Sequence, residues 1–294
     1  MHRAAAPAGS SLAALLHPAL ALRAFYLAAS LFILVIQLTP ALRRRFLAYG
    51  SRATPSAPSG RSGPAAPPVK QSAVDQLLDR AATIQVPHNY FTHFYIISVA
   101  CSLFWAWWLR VWETSSQMQL VWSLMLLQGV RRLLESYSYT STSKSTMWFA
   151  HWILGLLFYL TINVAIWIEG LDSLPPFLAT TVLVPAILTA HVLQHSYHAY
   201  LSRLRTENKG YQLPSHPVFS NLLCPHYTCE VVIYLLLSLL AAPHGRTVNW
   251  TLVCGTILVA TNLGVTAAGT KEWYTQKFGM AKVGPRKRMI PKVW

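Results

Sequence analysis

Residues 223–242 read LCPHYTCEVVIYLLLSLLAA, a polar stretch that runs directly into an almost wholly apolar segment. An apolar segment of this kind is typical of a helix buried in a membrane or in a protein core. The polar stretch is unusual, because it places His226 and Glu230 at the mouth of the hydrophobic segment. Ionisable groups are costly at membrane depth, so these residues indicate a functional site at the end of the helix.

The whole chain has the composition of a membrane protein. Of its 294 residues, 53% are hydrophobic and 11% are charged, whereas soluble domains are about 25% charged. Seven apolar stretches could each cross a bilayer, at about 20–42, 90–109, 118–134, 147–168, 176–197, 229–242 and 250–268. We therefore predict an all-α integral membrane protein with seven transmembrane helices.

The distribution of the +15 net charge indicates how the chain is oriented in the membrane and does not indicate a nucleic-acid partner. All but four of the 24 Lys and Arg residues fall at 43–88, 131–146, 200–228 or after 268, and the exceptions are Arg3, Arg23, Arg110 and Arg246. Seven helices place the basic regions on one side of the membrane, which is the positive-inside pattern. We expect a lumenal N-terminus, a cytosolic C-terminus and no nucleic-acid binding, with membrane lipids as the partners of the basic face.

The chain is expected to have three parts. Residues 1–48 would form an N-terminal transmembrane anchor helix, because the region before it lacks the pattern of a cleavable signal peptide. Residues 49–86 would comprise a disordered linker rich in Pro, Ser, Gly and Ala, followed by an interfacial segment at 73–86 with apolar residues at helical spacing. Residues 87–294 would form a six-helix core.

Polar residues recur at the predicted cytosolic helix ends, namely Gln128, Arg131, Arg132, Glu135, Gln194, His195, His198, Glu230 and Asn262. Such residues could bind a ligand, or they could only bond neighbouring helices and reach the interface. The Cys and His spacing around residues 224–229 does not match the usual zinc ligand pairs, so we predict no metal. A phosphate-binding glycine loop and a Gly-x-Ser-x-Gly nucleophile motif are both absent from the sequence. Asn249-Trp250-Thr251 is an N-glycosylation sequon, but it lies so close to the membrane that we expect Asn249 not to be glycosylated.

Several ordered blocks resemble a known family. They are PHNYFTHFYIIS (87–98), QHSYH (194–198), LR (204–205), YQLP (211–214), CPHYTCE (224–230), WY (273–274) and RKRMIP (286–291). Together they resemble the fungal-type polyprenal (polyprenol) reductases of the steroid 5α-reductase family. The resemblance covers about 87–294. It implies a steroid 5α-reductase-like, multi-pass protein of the endoplasmic reticulum membrane.

The resemblance also implies NADPH as cofactor, bound at the cytosolic helix ends. Its cofactor-binding residues would be Arg132, Gln194, His198, Arg205, Tyr211, His226, Tyr227, Glu230, Asn262, Tyr274 and Arg286. Glu230 could instead only cap its helix. The tyrosine that polarises the carbonyl in steroid-reducing relatives aligns with Gly129 and is missing here. The candidates for a catalytic donor are His93, Tyr95 and Gln128.

The implied reaction is reduction of the α-isoprene double bond of polyprenal, in the polyprenol pathway to dolichol that supports protein N-glycosylation. An aldehyde is the expected substrate form, because a conjugated carbonyl makes the β-carbon electrophilic and a donor at its oxygen stabilises the enolate. The partner would be a long-chain polyprenyl lipid. The alternatives are a 3-oxo-5α-steroid 4-dehydrogenase, a trans-2-enoyl-CoA reductase, an S-adenosylmethionine-dependent membrane methyltransferase or a non-catalytic membrane scaffold.

Overall fold

The computed structural model describes residues 17–47, 72–139, 145–170, 177–207 and 211–294. Its helices are α1 (Pro18–Leu38), α2 (Pro40–Phe46), α3 (Ala73–Thr83), α4 (Phe91–Trp108), α5 (Ser116–Ser138), α6 (Phe149–Ala165), α7 (Phe177–Thr206), α8 (Pro225–Leu240), α9 (Trp250–Phe278) and α10 (Met280–Val283). Single 3-10 turns at His88–Tyr90 and Val111–Glu113 flank α4. The predicted linker before residue 72 and the region before residue 17 lie outside the described residues.

Each of the seven predicted stretches overlaps one long helix: α1, α4, α5, α6, α7, α8 or α9. Three segments are long and apolar enough to cross a membrane, at Pro18–Leu38, His88–Trp108 and Trp250–Phe278. Two shorter apolar helices are Phe149–Ala165 and Pro225–Leu240. The mostly helical membrane character is therefore confirmed, and the number of seven spans stays a prediction.

Several helices extend beyond the predicted apolar stretches, because polar residues continue the helix past its apolar part. Helix α7 continues to Thr206 and α9 to Phe278, so Arg205 and Tyr274 lie on helices that project past the apolar stretches. Helix α8 begins at Pro225 and not near residue 229, because proline fits the first turn of a helix, where its missing N–H is not needed.

The prediction of an all-α chain is also wrong in one detail. Residues Gln85–Pro87 (β1) pair antiparallel with Thr146–Trp148 (β2), with Val86 opposite Met147. This ladder ties the N-terminal ends of α4 and α6 together, because β1 leads into α4 and β2 leads into α6. Hydropathy alone assigned both strands to the edges of helical stretches.

The apolar core lies where α1, α6, α8 and α9 meet. Tyr26, Ile162, Ile233, Leu237 and Leu252 are all fully buried there. Helix α9 packs against α1 and α8, α8 packs against α7, and α4 packs against α5 and α6. The large apolar residues left exposed include Leu31 and Phe32 on α1 and Phe104 on α4, as expected of helices whose outer faces contact lipid.

The predicted lumenal end is fixed by two polar caps on α9. Asn249 is buried, accepts from the Leu252 amide at 2.9 Å and donates from Nδ2 to the Ala165 carbonyl at 2.9 Å. Both polar side-chain atoms of Asn249, the acceptor asparagine of the sequon, are thus hydrogen-bonded inside the fold. Glu169 accepts from the Thr251 amide at 2.5 Å and pairs with Arg23 at 2.9 Å. Burial acts to raise the pKa of Glu169, but the Thr251 hydrogen bonds and Arg23 outweigh it and lower the pKa.

Candidate active site

A buried carboxylate joins α5 to α7 at the predicted cytosolic end. Oε1 of Glu135 lies 2.6 Å from Nη1 of Arg131, and Oε2 lies 2.5 Å from Nη1 of Arg132. The same two oxygens lie 2.8 Å and 2.7 Å from Nδ1 of His195 and His198. Because a carboxylate only accepts, we assign the proton of the His195 imidazole to Nδ1. Nδ1 of His198 also lies 2.9 Å from Nη1 of Arg132, which only donates, so this nitrogen is placed between a donor and an acceptor. Glu135 therefore binds two side chains of its own helix and two of α7.

Two glutamines extend this cluster to α8. Arg131 donates from Nη2 to Oε1 of Gln128 at 2.6 Å, and Gln128 donates from Nε2 to Glu230 at 2.8 Å. Gln194 makes the equivalent bridge, since its oxygen accepts from Arg131 and its nitrogen donates to Glu230. Each amide thus turns its oxygen to the cation and its nitrogen to the anion. These contacts and those of Glu135 define what we call the Arg–Glu cluster.

Glu230 does not cap α8. The helix begins at Pro225 after Cys224, without a side-chain hydrogen bond at its N-cap, and Glu230 lies more than one turn inside it. Its carboxylate is buried and is held by Gln128 and Gln194. The alternative in which Glu230 only caps the helix is therefore wrong.

Tyr95 reaches the Arg–Glu cluster from α4. Its hydroxyl oxygen accepts from Nη2 of Arg132, and the guanidinium carbon of Arg132 lies 4.7 Å from the centre of the phenol ring. One turn away, α4 and α5 approach so closely that a Cβ on Gly129 would lie 2.9 Å from Oγ of Ser98. Gly129, which the resemblance aligns with the tyrosine of steroid-reducing enzymes, is therefore packed closely against α4.

Aromatic rings pack around His226 next to the cluster. Its ring stacks on Tyr197 with centroids 5.2 Å apart, and it lies edge-on to His198 at 5.1 Å. The adjacent Tyr227 ring is 4.2 Å away. Nδ1 of His226 is buried without a hydrogen-bond partner among the described residues, as is Nε2 of His191. Buried polar atoms are normally paired, so these two atoms are available to a polar ligand.

A second group of predicted residues surrounds the C-terminal segment, which contains residues 286–291. Arg286 donates to the Pro214 carbonyl, and the Tyr211 ring lies 4.9 Å from the Trp273 ring, next to Tyr274. The segment is bound to the start of α8 by backbone bonds of 3.0 Å and 2.8 Å, from the amides of residues 223 and 224 to the carbonyls of residues 287 and 288. The fold therefore places the segment beside the start of α8. The side chain of Arg205 is exposed.

The structure thus brings Tyr95, Gln128, Arg132, Gln194, His198 and Glu230 into one cluster, with His226 against it. Tyr211, Tyr274 and Arg286 belong to the group around the C-terminal segment, and two further predicted residues lie in neither group. His93 packs on the rings of Tyr90 and Trp152, 4.5 Å and 6.0 Å away, and Asn262 lies on α9.

Four further cluster members were not among the predicted site residues: Arg131, Glu135, His191 and His195. Their spacing in the sequence could have predicted them, because polar residues three and four positions apart lie on one face of a helix. Residues 128, 131, 132 and 135 form one face of α5, and residues 191, 194, 195 and 198 form one face of α7. Among the described residues, His, Cys, Asp and Glu side chains form no group of three arranged to hold a metal ion.

Comparisons with known proteins match this architecture. The family model described as 3-oxo-5-alpha-steroid 4-dehydrogenase matches residues 159–294. A polyprenal reductase of Saccharomyces cerevisiae is 29% identical over 223 residues, which cover 74% of this chain and 79% of the relative. A polyprenal reductase of Xenopus laevis is 26% identical over 196 residues, 60% of this chain and 59% of the relative. Polyprenal reductase 1 of Arabidopsis thaliana is 38% identical over 88 residues, 29% of this chain and 26% of the relative.

The helical membrane fold, the polar cluster and these matches indicate the class: over residues 159–294 the chain is similar to the membrane-embedded oxidoreductases of the steroid 5α-reductase family. Within that family its curated relatives are polyprenal reductases of yeast, plants and vertebrates. The resemblance predicted from the sequence blocks is therefore confirmed.

Proposed function

We propose that this protein reduces the α-isoprene double bond of polyprenal with NADPH, in the route to dolichol that supports protein N-glycosylation. The observation that carries the proposal is the buried Arg–Glu cluster, which lies at the helix ends where the family's blocks converge. The names of the relatives support polyprenal as substrate. The family model described as a 3-oxo-5-alpha-steroid 4-dehydrogenase makes a steroid the second candidate.

The residues present fit a phosphorylated nucleotide. Arginines supply positive charge, and the unpaired buried nitrogens of His191, His226 and Arg288 offer polar atoms that the fold leaves unsatisfied. When bound, NADPH would supply the hydride. The residues proposed to hold it are Arg132, Gln194, His198, Arg205, Tyr211, His226, Tyr227, Glu230, Asn262, Tyr274 and Arg286.

Tyr95 is the proposed proton donor to the substrate carbonyl. Its oxygen accepts from Arg132, which leaves the phenol proton available for donation and stabilises negative charge that develops on the oxygen. The two rival donors have other contacts: the Gln128 amide bridges Arg131 and Glu230, and His93 packs on Tyr90. In this mechanism Glu135 is a positioning residue, because it holds Arg132 and does not contact substrate.

The proposed topology has seven spans in the endoplasmic reticulum membrane, with a lumenal N-terminus and a cytosolic C-terminus. It comprises an anchor helix in 1–48, a linker and interfacial segment in 49–86 and a six-helix core in 87–294. The distribution of basic residues supports it. Such a core leaves the apolar polyprenyl chain in lipid while its aldehyde reaches Tyr95.

The test uses the purified full chain in detergent with NADPH carrying deuterium on its transferred position. Polyprenal should be consumed, with deuterium on the β-carbon of the product. Testosterone-like steroids and enoyl-CoA esters should be poor substrates, and polyprenol should be inert, because an alcohol does not activate its alkene. Deuterium at the carbonyl carbon, or steroid turnover at the rate of polyprenal, would refute the proposed reaction.

A further inference from the structure

Helix α3 exposes apolar side chains that no described part of the protein covers. Val74, Leu77 and Ile84, which directly follows the helix, have exposed fractions of 66%, 68% and 57%. Neighbouring positions of the same helix, among them Gln76 and Arg80, are exposed and polar. The outward surface of α3 is therefore divided into an apolar side and a polar side, which is the pattern of a helix at a membrane surface.

The remaining face of α3 is fixed to the protein by charge. Asp75 and Asp79 accept from the guanidinium of Arg45 on α2 at 3.0 Å and 2.6 Å. At the other end of the helix, the indole of Trp148 donates to the Ala81 carbonyl at 3.0 Å. These contacts fix the rotation of α3 about its axis, so its apolar side is directed outward in the folded chain.

The position of α3 along the chain places it at the level of the bilayer surface. Helix α2, which binds it, starts two residues after the membrane-length helix α1 ends at Leu38. Only β1 separates Ile84 from His88, where the next membrane-length segment begins. The Ile84 carbonyl accepts from the amide of Phe149, the first residue of α6, whose side chain is 39% exposed. The apolar side of α3 is thus continuous with the outer surface of apolar helices.

Charge favours the same partner. Arg44 is exposed on α2, and Arg80 is exposed on α3 beside the apolar side, while the exposed Arg43 lies 3.8 Å from the carboxylate of Glu272. Arginines next to an exposed apolar surface attract anionic headgroups while the apolar side chains enter the acyl region. A protein partner would need its own acidic and apolar surface here, whereas the bilayer supplies both.

We propose that α3 lies in the headgroup–acyl boundary of the membrane, with Val74, Leu77 and Ile84 immersed and the arginines at the phosphates. The proposal specifies which side chains of the proposed interfacial segment enter the membrane and how α3 is held there, and it does not depend on the reaction. Because β1 joins α3 to α4 and pairs with β2, a helix held at that depth sets the level of the first turns of α4, including Tyr95.

The test measures the depth of single spin labels on the full chain in vesicles of phosphatidylcholine and phosphatidylserine. A nitroxide is attached to Leu77→Cys and, in separate proteins, to Val74→Cys and to the matched control Gln76→Cys. Labelling of the parent chain gives the background, since Cys224, Cys229 and Cys254 are buried and Cys101 is half-buried. Collision rates with oxygen, which concentrates in lipid, and with a water-soluble nickel chelate are then compared.

Labels at 74 and 77 should collide preferentially with oxygen and lie about 5–10 Å into the headgroup–acyl boundary, whereas the label at 76 should collide preferentially with nickel. Preferential nickel collision at 77 would show that the apolar side faces water and would overturn the proposal. Low collision with both reagents at 77 would also overturn it, because another protein segment or a second copy of the chain would then cover this side. The substituted positions are exposed, so the fold should tolerate the labels.

Discussion

Replacement of Tyr95 by phenylalanine separates a catalytic role from a structural one. The substitution removes the hydroxyl that accepts from Arg132 and leaves the buried ring in place. A hydrogen bond to a charged group contributes about 1.5–3 kcal/mol. Arg132 keeps its 2.5 Å ion pair with Glu135, so the loss of stability should be near the lower value. Loss of a proton donor lowers kcat by about 100- to 10,000-fold.

Tyr159→Phe is the matched control. Tyr159 lies on α6 with its ring 5.6 Å from the Tyr95 ring, so its substitution removes a phenol hydroxyl from the same region. Thermal unfolding, NADPH titration and steady-state reduction of polyprenal are measured for parent, Tyr95→Phe and Tyr159→Phe. We expect a large fall in kcat for Tyr95→Phe, with cofactor affinity retained, and near-parent turnover for Tyr159→Phe. Near-parent turnover of Tyr95→Phe, or equal losses in the two variants, would refute the assignment of Tyr95 as donor.

Three further substitutions test the fold, two of them at the site and one at the predicted lumenal end. Glu135→Gln removes a buried carboxylate and leaves two partly buried guanidiniums short of a counter-ion, so it should lower the free energy of unfolding by about 3 kcal/mol. The exposed pair made by Glu113 supplies the control, and Glu113→Gln should change it by less than about 1 kcal/mol. Gly129→Ala puts a methyl group against Ser98 and should destabilise the protein by about 1–3 kcal/mol. Adding Ser98→Ala should recover part of that loss. Strictly additive effects of the two substitutions would contradict the close approach of α4 and α5. Folding lowers the pKa of Glu169, so its contribution to the free energy of unfolding is complete above the unfolded pKa of about 4.3 and is lost as the pH falls below that value. Glu169→Gln should therefore flatten this part of the plot of unfolding free energy against pH. An unchanged plot would contradict the role of Glu169.

The sequence predicted the helices well because hydropathy reports directly on what a membrane requires. All seven apolar stretches contain helices, and polar residues on four of them were expected to gather at one end. Six predicted site residues do meet in the Arg–Glu cluster. Local spacing was informative here, because residues three and four apart on α5 and on α7 share a face.

What the sequence could not provide is the pairing between helices. Glu230 could be recognised as a buried acid, but its two glutamine partners lie 102 and 36 residues away along the chain. The pairing of β1 with β2 was missed for the same reason, since three-residue strands carry no periodic pattern. The rotation of α3 likewise depends on Arg45, which stands across the linker from its two aspartates.

The balance of charge within the Arg–Glu cluster affects how the chain enters the membrane. Two arginines are matched by two glutamates, and each carboxylate has partners on more than one helix. A single helix carrying Arg131 and Arg132 would be expensive to insert alone, but α5 brings its own counter-ion, Glu135, within one turn. Helix α5 therefore carries a net charge of +1 and not +2, and Glu230 on α8, which is joined through the neutral amides of Gln128 and Gln194, supplies the second negative charge.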